Sequence, residues 1–138
     1  MMLKAAVIGL GKIGQGYDYD CLDGAKVYTH AAAYHLHPAF ELIGGVDPDE
    51  HCRKLFEKKF GKPAFRSIDE LHKLLTADVV SLCVPAPFHA EVFNQIMSHA
   101  PRAVLCEKPI ANYYEEGRAM RTLAAKQGCV LLVNYMRR

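Results

Sequence analysis

Short runs that are apolar at nearly every position alternate with amphipathic stretches along the whole 138-residue chain. Strands of that kind are buried on both faces, which is the environment of a parallel sheet. Parallel neighbours need a long crossover connection between them, and a helix is the usual one. The alternation therefore predicts an α/β fold with a doubly wound, mostly parallel sheet. Such sheets bind ligands at the carboxyl ends of their strands.

The pattern also sets approximate bounds for each element. The predicted strands cover residues 3–8, 41–46, the very short 64–65, 78–84, 103–106 and 129–133. The predicted helices cover residues 29–36, 49–60, 67–75, 88–100 and 112–127. Asp49 and Asn112 are expected to cap their helices, and Ser67 with Glu70 has the spacing of a capping box.

Composition narrows the class of protein. With 51% hydrophobic and 23% charged residues, we expect one globular domain over residues 1–138. A formal net charge of +2 from scattered basic residues does not favour nucleic acid or an anionic membrane as a partner. No apolar run approaches the roughly 18 residues of a membrane span, and the glycine-broken N-terminal run is interpreted as a strand rather than a signal peptide.

Cysteines and histidines give no pattern of metal ligands. The five cysteines have no CxxC spacing, and several lie in apolar runs, which favours free thiols in a reducing cytoplasm. His30, His35 and His37 cluster near the first predicted helix, but no carboxylate or cysteine completes a ligand set there. We therefore expect no metal.

A glycine-rich turn follows the first predicted strand directly. The residues are Gly9-Leu10-Gly11-Lys12-Ile13-Gly14, which match G-x-G-x-x-G. Glycines permit a tight turn and allow the backbone to approach a pyrophosphate closely. Asp47 ends the second predicted strand, where a carboxylate can accept hydrogen bonds from ribose hydroxyls and repel a 2′-phosphate. This combination predicts dinucleotide binding and favours NAD over NADP.

The spacing between turn and acid is unusually long. Asp47 lies 33 residues after Gly14, against about 20 in the usual pattern. We assign the excess to an inserted segment over residues 15–28. This segment is either an ordinary surface loop or a cover for a substrate, in which case Tyr17 or Tyr19 would contribute. The insertion leaves open whether a helix N-terminus meets the phosphates directly.

Adjacent opposite charges, Glu107 and Lys108, end the apolar run over residues 103–106 and are followed by Pro109. Such a pair often does no more than solvate a loop. Here it falls at the same sheet edge as the glycine turn, which the solvation interpretation does not explain. A lysine beside a cofactor can take part in proton transfer, and Pro109 favours an extended Lys108.

Together these segments resemble the Gfo/Idh/MocA oxidoreductase family, which includes glucose-fructose oxidoreductase and inositol dehydrogenase. The matching segments are GLGKIG at 9–14, VDPD at 46–49, VPAPFH at 84–89, CEKPI at 106–110 and VNYMRR at 133–138. The resemblance spans nearly the whole chain, and the EKP element is its most specific part. It implies the NAD(P)-binding Rossmann domain of a two-domain, homo-oligomeric dehydrogenase acting on sugars, cyclitols or related polyols.

The resemblance also implies roles for individual residues. Lys108 would be the catalytic lysine, which hydrogen-bonds the substrate oxygen as hydride passes to C4 of the nicotinamide. Glu107 would lie near the nicotinamide ribose, Pro85 and His89 along the cofactor, and Asn134 toward the substrate. His89 has the alternative of a purely capping role at its helix. The expected cofactor-binding residues are Gly9, Gly11, Lys12, Ile13, Gly14, Asp47, Pro85, His89, Glu107 and Lys108.

Nothing in the sequence resembles the family's C-terminal α/β domain, which would supply the substrate pocket and a catalytic histidine. We therefore expect a fragment of a longer enzyme, or a stand-alone cofactor module, that binds NAD without appreciable turnover. An alternative of a different class is a non-catalytic dinucleotide-binding module that senses redox state or regulates a partner. Another Rossmann reductase, such as a dihydrodipicolinate-type enzyme, is disfavoured by the EKP element.

Overall fold

The computed structural model describes residues 1–21, 23 and 25–135. Its strands are β1 (Leu3–Ile8), β2 (Phe40–Val46), β3 (Ala64–Phe65), β4 (Val79–Leu82), β5 (Ala103–Glu107) and β6 (Val130–Asn134). They form one six-stranded sheet in the order β3-β2-β1-β4-β5-β6, with every neighbouring pair parallel. The predicted doubly wound, parallel α/β fold is confirmed, and residues 136–138 of the VNYMRR segment lie outside the described residues.

Five helices cover the two faces of this sheet. They are α1 (His30–Leu36), α2 (Glu50–Phe60), α3 (Ile68–Leu74), α4 (His89–Met97) and α5 (Tyr114–Lys126). Residues of α1 and α2 pack into one apolar cluster against the sheet, and residues of α3, α4 and α5 pack into another on the opposite face. The strand order reverses between β1 and β4, so their carboxyl ends mark the switch point of the sheet.

Helix caps agree with the sequence prediction in two cases out of three. The Asp49 side chain accepts the N–H of His51, and the Ser67 side chain accepts the N–H of Glu70. The Asn112 prediction is wrong, because α5 begins two residues later, after Tyr113, and has no side-chain cap. Two glutamates in its first turn favour that start instead, since negative charge stabilises a helix N-terminus.

Two boundaries also differ from the sequence pattern. The β4 strand covers only Val79–Leu82, so the predicted residues 83–84 already belong to the segment after the strand. The α4 helix is preceded by a separate tight turn over Ala86–Phe88 and ends at Met97 rather than at Ala100. Ala100 has a φ of 49°, which lies outside the helical region.

None of the helices in the described part of the chain is both long and apolar enough to cross a membrane.

We expect Phe56→Ala to lower the free energy of unfolding by about 3–5 kcal/mol, because truncation of a buried phenylalanine leaves a cavity. Phe56 has no exposed surface and shares an apolar cluster with Leu10 of the glycine turn. Leu74→Ala, at a side chain that is 75% exposed, is the control and should change stability by about 0.5 kcal/mol or less. Urea denaturation followed by circular dichroism measures both, and equal losses would contradict the assignment of the core.

Candidate functional site

A cleft of about 940 Å³ opens at the edge of the sheet where the strands have their carboxyl ends. Its walls come mainly from segments that directly follow strands: Gly9 and Gly11 to Ile13 after β1, Asp47 and Pro48 after β2, Arg66 and Ser67 after β3, Cys83 to Ala86 after β4, and Lys108 after β5. A cleft of this size accommodates a small organic ligand or a cofactor.

The glycine turn depends on two of its three glycines for its shape. Gly9 has a φ of 93°, and a Cβ on it would lie 2.7 Å from the carbonyl carbon of Cys83. A Cβ on Gly14 would overlap the carbonyl oxygen of Gly9. Gly11 is different, because a Cβ there would meet no atom within 4 Å. The backbone at Gly11 therefore faces open space in the cleft, and a side chain would occupy that space.

A short, wide helical turn over Lys12–Gly16 follows the glycines. The N–H of Gly16 donates to the carbonyl of Gly11 at 3.1 Å. The N–H groups at the start of such a turn have no carbonyl one turn before them, so they are available to an anion. The first regular helix, α1, begins only at His30. The helical segment that directly follows the glycine turn is therefore this short turn and not α1.

Asp47 joins the end of β2 to the glycine turn. Its Oδ2 accepts the backbone N–H of Leu10 at 2.8 Å, and its Oδ1 accepts the N–H of Asp49 at 2.8 Å. Each carboxylate oxygen can accept more than one hydrogen bond. Asp47 can therefore hold the turn and still present negative charge to the cleft, whose wall it forms.

The inserted segment is anchored at its two ends by Asp18. The Asp18 side chain has no exposed surface, and its Oδ2 accepts the N–H groups of Tyr28 and Thr29 at 2.7 and 3.0 Å. Its Oδ1 accepts the hydroxyl of Thr29 at 2.7 Å, and the ammonium of Lys59 lies 3.7 Å away. One buried carboxylate thus ties the start of the segment to the residues that lead into α1.

The two tyrosines of this segment have different surroundings. Tyr17 is 63% exposed and lines the cleft. Tyr19 instead donates its hydroxyl to the carbonyl of Leu55 at 2.9 Å, and its ring lies 4.8 Å from the ammonium of Lys59. Tyr19 therefore packs on α2, and Tyr17 is the one beside the cleft.

Glu107 is the last residue of β5 and lies within a set of hydrogen bonds. Its Oε1 accepts Asn134 Nδ2 at 2.6 Å and lies 2.8 Å from His30 Nε2. Burial raises the pKa of Glu107, but the hydrogen bonds from Asn134 and His30 outweigh it and bring the pKa below the ordinary value of 4.5. Glu107 is therefore a partly buried, ionised carboxylate in the wall of the cleft.

Two further polar groups stand behind His30. Its Nδ1 lies 2.8 Å from the hydroxyl oxygen of Ser81, which in turn lies 2.7 Å from the hydroxyl of Tyr34. Burial raises the pKa of the Tyr34 hydroxyl. The spacing of histidines, which was considered only for metal binding, does not predict that His30 contacts Glu107 and Ser81. The available signal was Ser81 itself, a single hydroxyl inside the otherwise apolar run VVSLCV.

Lys108 is the first residue beyond the sheet, and it is exposed and lines the cleft. The peptide bond between Lys108 and Pro109 is cis.

His89 lies behind the wall of the cleft. It is 1% exposed, and its Nε2 lies 2.8 Å from the carbonyl oxygen of Val84. Its Nδ1 lies 2.8 Å from the carbonyl oxygen of Pro109 and 3.2 Å from that of Ile110. The imidazole therefore ties the segment after β4 to the segment after β5, and these two segments carry Pro85 and Lys108.

Residues 3–135 match the Gfo/Idh/MocA oxidoreductase family, described by its NAD-binding Rossmann fold. The chain belongs to this family. It is 31% identical over 99% of its length to D-glucoside 3-dehydrogenase of Escherichia coli (strain K12), of which it covers 35%. It is 26% identical over its full length to inositol 2-dehydrogenase of Rhizobium meliloti (strain 1021), of which it covers 37%. The chain thus spans little more than a third of these curated relatives.

Solved structures of similar proteins have the same fold. GenD2 from gentamicin A biosynthesis, in complex with NAD, superposes with a TM-score of 0.81 at 25% identity, over 97% of this chain and 34% of that one. The myo-inositol 2-dehydrogenase from Lactobacillus plantarum superposes with a TM-score of 0.79 at 20% identity, over 100% of this chain and 38% of that one. The second likeness concerns the fold alone.

Most of the residues expected to bind cofactor line the cleft of this Gfo/Idh/MocA domain. Those that do are Gly9, Gly11, Lys12, Ile13, Asp47, Pro85, Glu107 and Lys108. Gly14 and His89 are buried and do not line it, and Asn134, which was expected toward the substrate, is half-buried and does not line it either. Arg66, Ser67, Phe88, Glu91 and Gln95 also line the cleft but were not among the expected site residues, because no local motif marks the segment after β3 or the start of α4 as part of a ligand site.

We expect Gly14→Ala and Gly11→Ala to separate stability from binding in this family member. Gly14→Ala forces a Cβ into the Gly9 carbonyl and should lower the free energy of unfolding by roughly 2 kcal/mol. Gly11→Ala meets no atom, so stability should change by about 0.5 kcal/mol or less while NADH binding weakens. Urea denaturation and calorimetric titration measure the two effects. A Gly11→Ala protein as unstable as Gly14→Ala would contradict this account of the turn.

Proposed function

We propose that residues 1–138 form the cofactor-binding domain of an NAD(P)-dependent dehydrogenase. This enzyme would transfer hydride between nicotinamide and a sugar, cyclitol or related polyol. The observation that carries the proposal is that the glycine turn, Asp47, Glu107 and Lys108 line one cleft at the switch point of the sheet. The relatives that are similar to this chain are named as dehydrogenases of a glucoside, inositol and glucose-6-phosphate, which supports the substrate class.

The residues present fit a dinucleotide along the cleft. The open backbone at Gly11 and the N–H groups of Lys12 and Ile13 suit a pyrophosphate. Asp47 suits a ribose beside the glycine turn, and Glu107 suits the ribose at the nicotinamide end. Pro85 would contact the cofactor directly. Gly14 and His89 would act from behind the wall, by shaping the turn and by holding the segments that carry Pro85 and Lys108.

Lys108 is the residue proposed to act on the substrate. The bound nicotinamide supplies the hydride chemistry, and Lys108 supplies a cation and a hydrogen-bond donor at the mouth of the same cleft. As an ammonium, Lys108 would hydrogen-bond the substrate oxygen and donate a proton to it when a carbonyl is reduced, and as a neutral amine it would accept the hydroxyl proton when an alcohol is oxidised. Asn134 would act indirectly, since its amide donates to Glu107.

NAD is the proposed cofactor in preference to NADP. Asp47 places a carboxylate at the end of β2 whose two oxygens are already fixed by backbone N–H groups, and its charge would repel a 2′-phosphate. Arg66 lines the same cleft and carries the opposite charge. The balance of these two residues sets the preference.

The substrate pocket, a further proton donor and the subunit interfaces of a homo-oligomer are proposed to come from a second domain. The curated relatives have the length for one, since the chain covers 35% and 37% of two of them. A reducing compartment such as the cytoplasm is proposed because all five cysteines are free.

We expect the chain to bind NADH at least about tenfold more tightly than NADPH in calorimetric titrations. Asp47→Asn keeps an acceptor for the Leu10 N–H, loses the acceptor for the Asp49 N–H and removes the charge, so it should reduce this preference about tenfold. Asp47→Ala removes the acceptor as well and should weaken both cofactors. Equal binding of NADH and NADPH by the unaltered chain would overturn the NAD preference, and binding of neither would overturn the proposed cofactor site.

We expect Lys108→Ala to separate catalysis from cofactor binding. In a protein where this chain is joined to its second domain, turnover of polyol substrates should fall by about 10²–10⁴. NADH affinity of the same variant should stay within about threefold, because Lys108 is proposed to contact the substrate oxygen. Intact NADH binding with no turnover of any polyol by the unaltered two-domain protein would favour the non-catalytic module instead.

A further inference from the structure

A chain of hydrogen bonds runs from the interior of the protein to the wall of the cleft. It links Tyr34, Ser81, His30 and Glu107 in that order, with successive distances of 2.7, 2.8 and 2.8 Å. The first three side chains belong to residues that are 6%, 0% and 6% exposed. None of these three lines the cleft, whereas Glu107 does. These hydrogen bonds therefore connect buried groups on α1 and β4 to Glu107, which a ligand in the cleft can reach.

The donors and acceptors in this hydrogen-bond network fix the direction in which each hydrogen points. The carboxylate of Glu107 can only accept, so His30 Nε2 must carry the hydrogen between them. With that hydrogen on Nε2, Nδ1 of a neutral ring accepts the hydroxyl of Ser81, and Ser81 accepts the hydroxyl of Tyr34. Every hydrogen then has an acceptor. In the reverse direction, the Tyr34 hydroxyl hydrogen would point away from Ser81, its hydrogen-bond partner among the described residues.

The two donors to Glu107 converge on the same oxygen. Both His30 Nε2 and Asn134 Nδ2 contact Oε1, at 2.8 and 2.6 Å. The other oxygen, Oε2, has a 3.4 Å contact with the backbone N–H of Lys108, which is long for a hydrogen bond. Two charge-assisted bonds on Oε1 restrict rotation of the carboxylate and leave Oε2 as the oxygen with free capacity.

We propose that His30 is a positioning residue, held by Ser81 and Tyr34, that fixes Glu107 so that Oε2 is presented to a ribose hydroxyl at the nicotinamide end of the bound dinucleotide. The inference rests on the proposed function, because its ligand is the proposed cofactor. His30 acts only through Glu107 and has no contact with the cofactor. The buried polar chain costs desolvation that apolar side chains of similar size would avoid, and the orientation of Glu107 is what it provides.

The first test compares two ligands by calorimetric titration of the whole chain. NADH contains the nicotinamide ribose, and ADP lacks it. His30→Leu should weaken NADH binding about tenfold and change ADP binding by about twofold or less. His30→Gln, whose amide can donate near the position of Nε2, should keep most of the NADH affinity. His35→Leu is the matched control on the same helix, at an exposed position, and should leave the affinities for NADH and ADP unchanged.

A double-mutant cycle then tests whether His30 acts through Glu107. Glu107→Ala alone should weaken NADH binding about as much as His30→Leu, and the double variant should be no weaker than Glu107→Ala. Additive losses would overturn the proposal, because His30 would then act independently of Glu107. Equal weakening of NADH and ADP by His30→Leu would also overturn it, since that result indicates a general structural defect.

Nitrogen-15 NMR of the histidine side chains tests the arrangement without any cofactor. We expect His30 to carry its hydrogen on Nε2 with Nδ1 unprotonated, and Ser81→Ala to change this tautomer distribution. A hydrogen on Nδ1 in the unaltered chain would overturn the direction of the network. If the chain binds neither NADH nor ADP, the proposed function fails in the titration, while the spectrum still decides the link between His30 and Glu107.

Discussion

Parallel pairing of β1 with both β2 and β4 is the constraint on which the site depends. It brings the carboxyl ends of these strands together at one edge, so residues far apart in sequence meet there. The contact is close, because the N–H of Cys83 donates to the carbonyl of Ile8 at 2.7 Å and the N–H of Gly9 donates to the carbonyl of Val46 at 2.8 Å. A side chain at Gly9 would push these strand ends apart and distort the cleft that they line.

Glu107 and Lys108, the adjacent residues at the end of β5, lie in different environments. Successive side chains of a strand point to opposite faces, and Glu107 is the last residue that still follows this alternation. Its carboxylate turns toward α1 and pairs across to Asn134 on β6. Lys108 has already left the sheet and is exposed. One charge is therefore held rigidly by the interior, and its neighbour is free to meet a ligand.

Local sequence patterns predicted the strands and most of the cleft, because period, glycine turns and strand ends are local properties. They did not predict the pairing of His30 with Ser81 and Glu107, which depends on how α1 packs across β4 and β5. The Asn112 cap failed for a different reason, since two glutamates in the first turn of α5 compete with the preference of asparagine for the cap position.

His89 makes the segments after β4 and β5 a single mechanical unit. Because one buried ring contacts carbonyl groups on both, a shift of one segment is transmitted to the other. A substitution that displaces the backbone near Pro85 should therefore also displace the segment that carries Lys108. The two walls of the cleft that these segments form respond as one, although 20 residues separate His89 from Pro109 in the sequence.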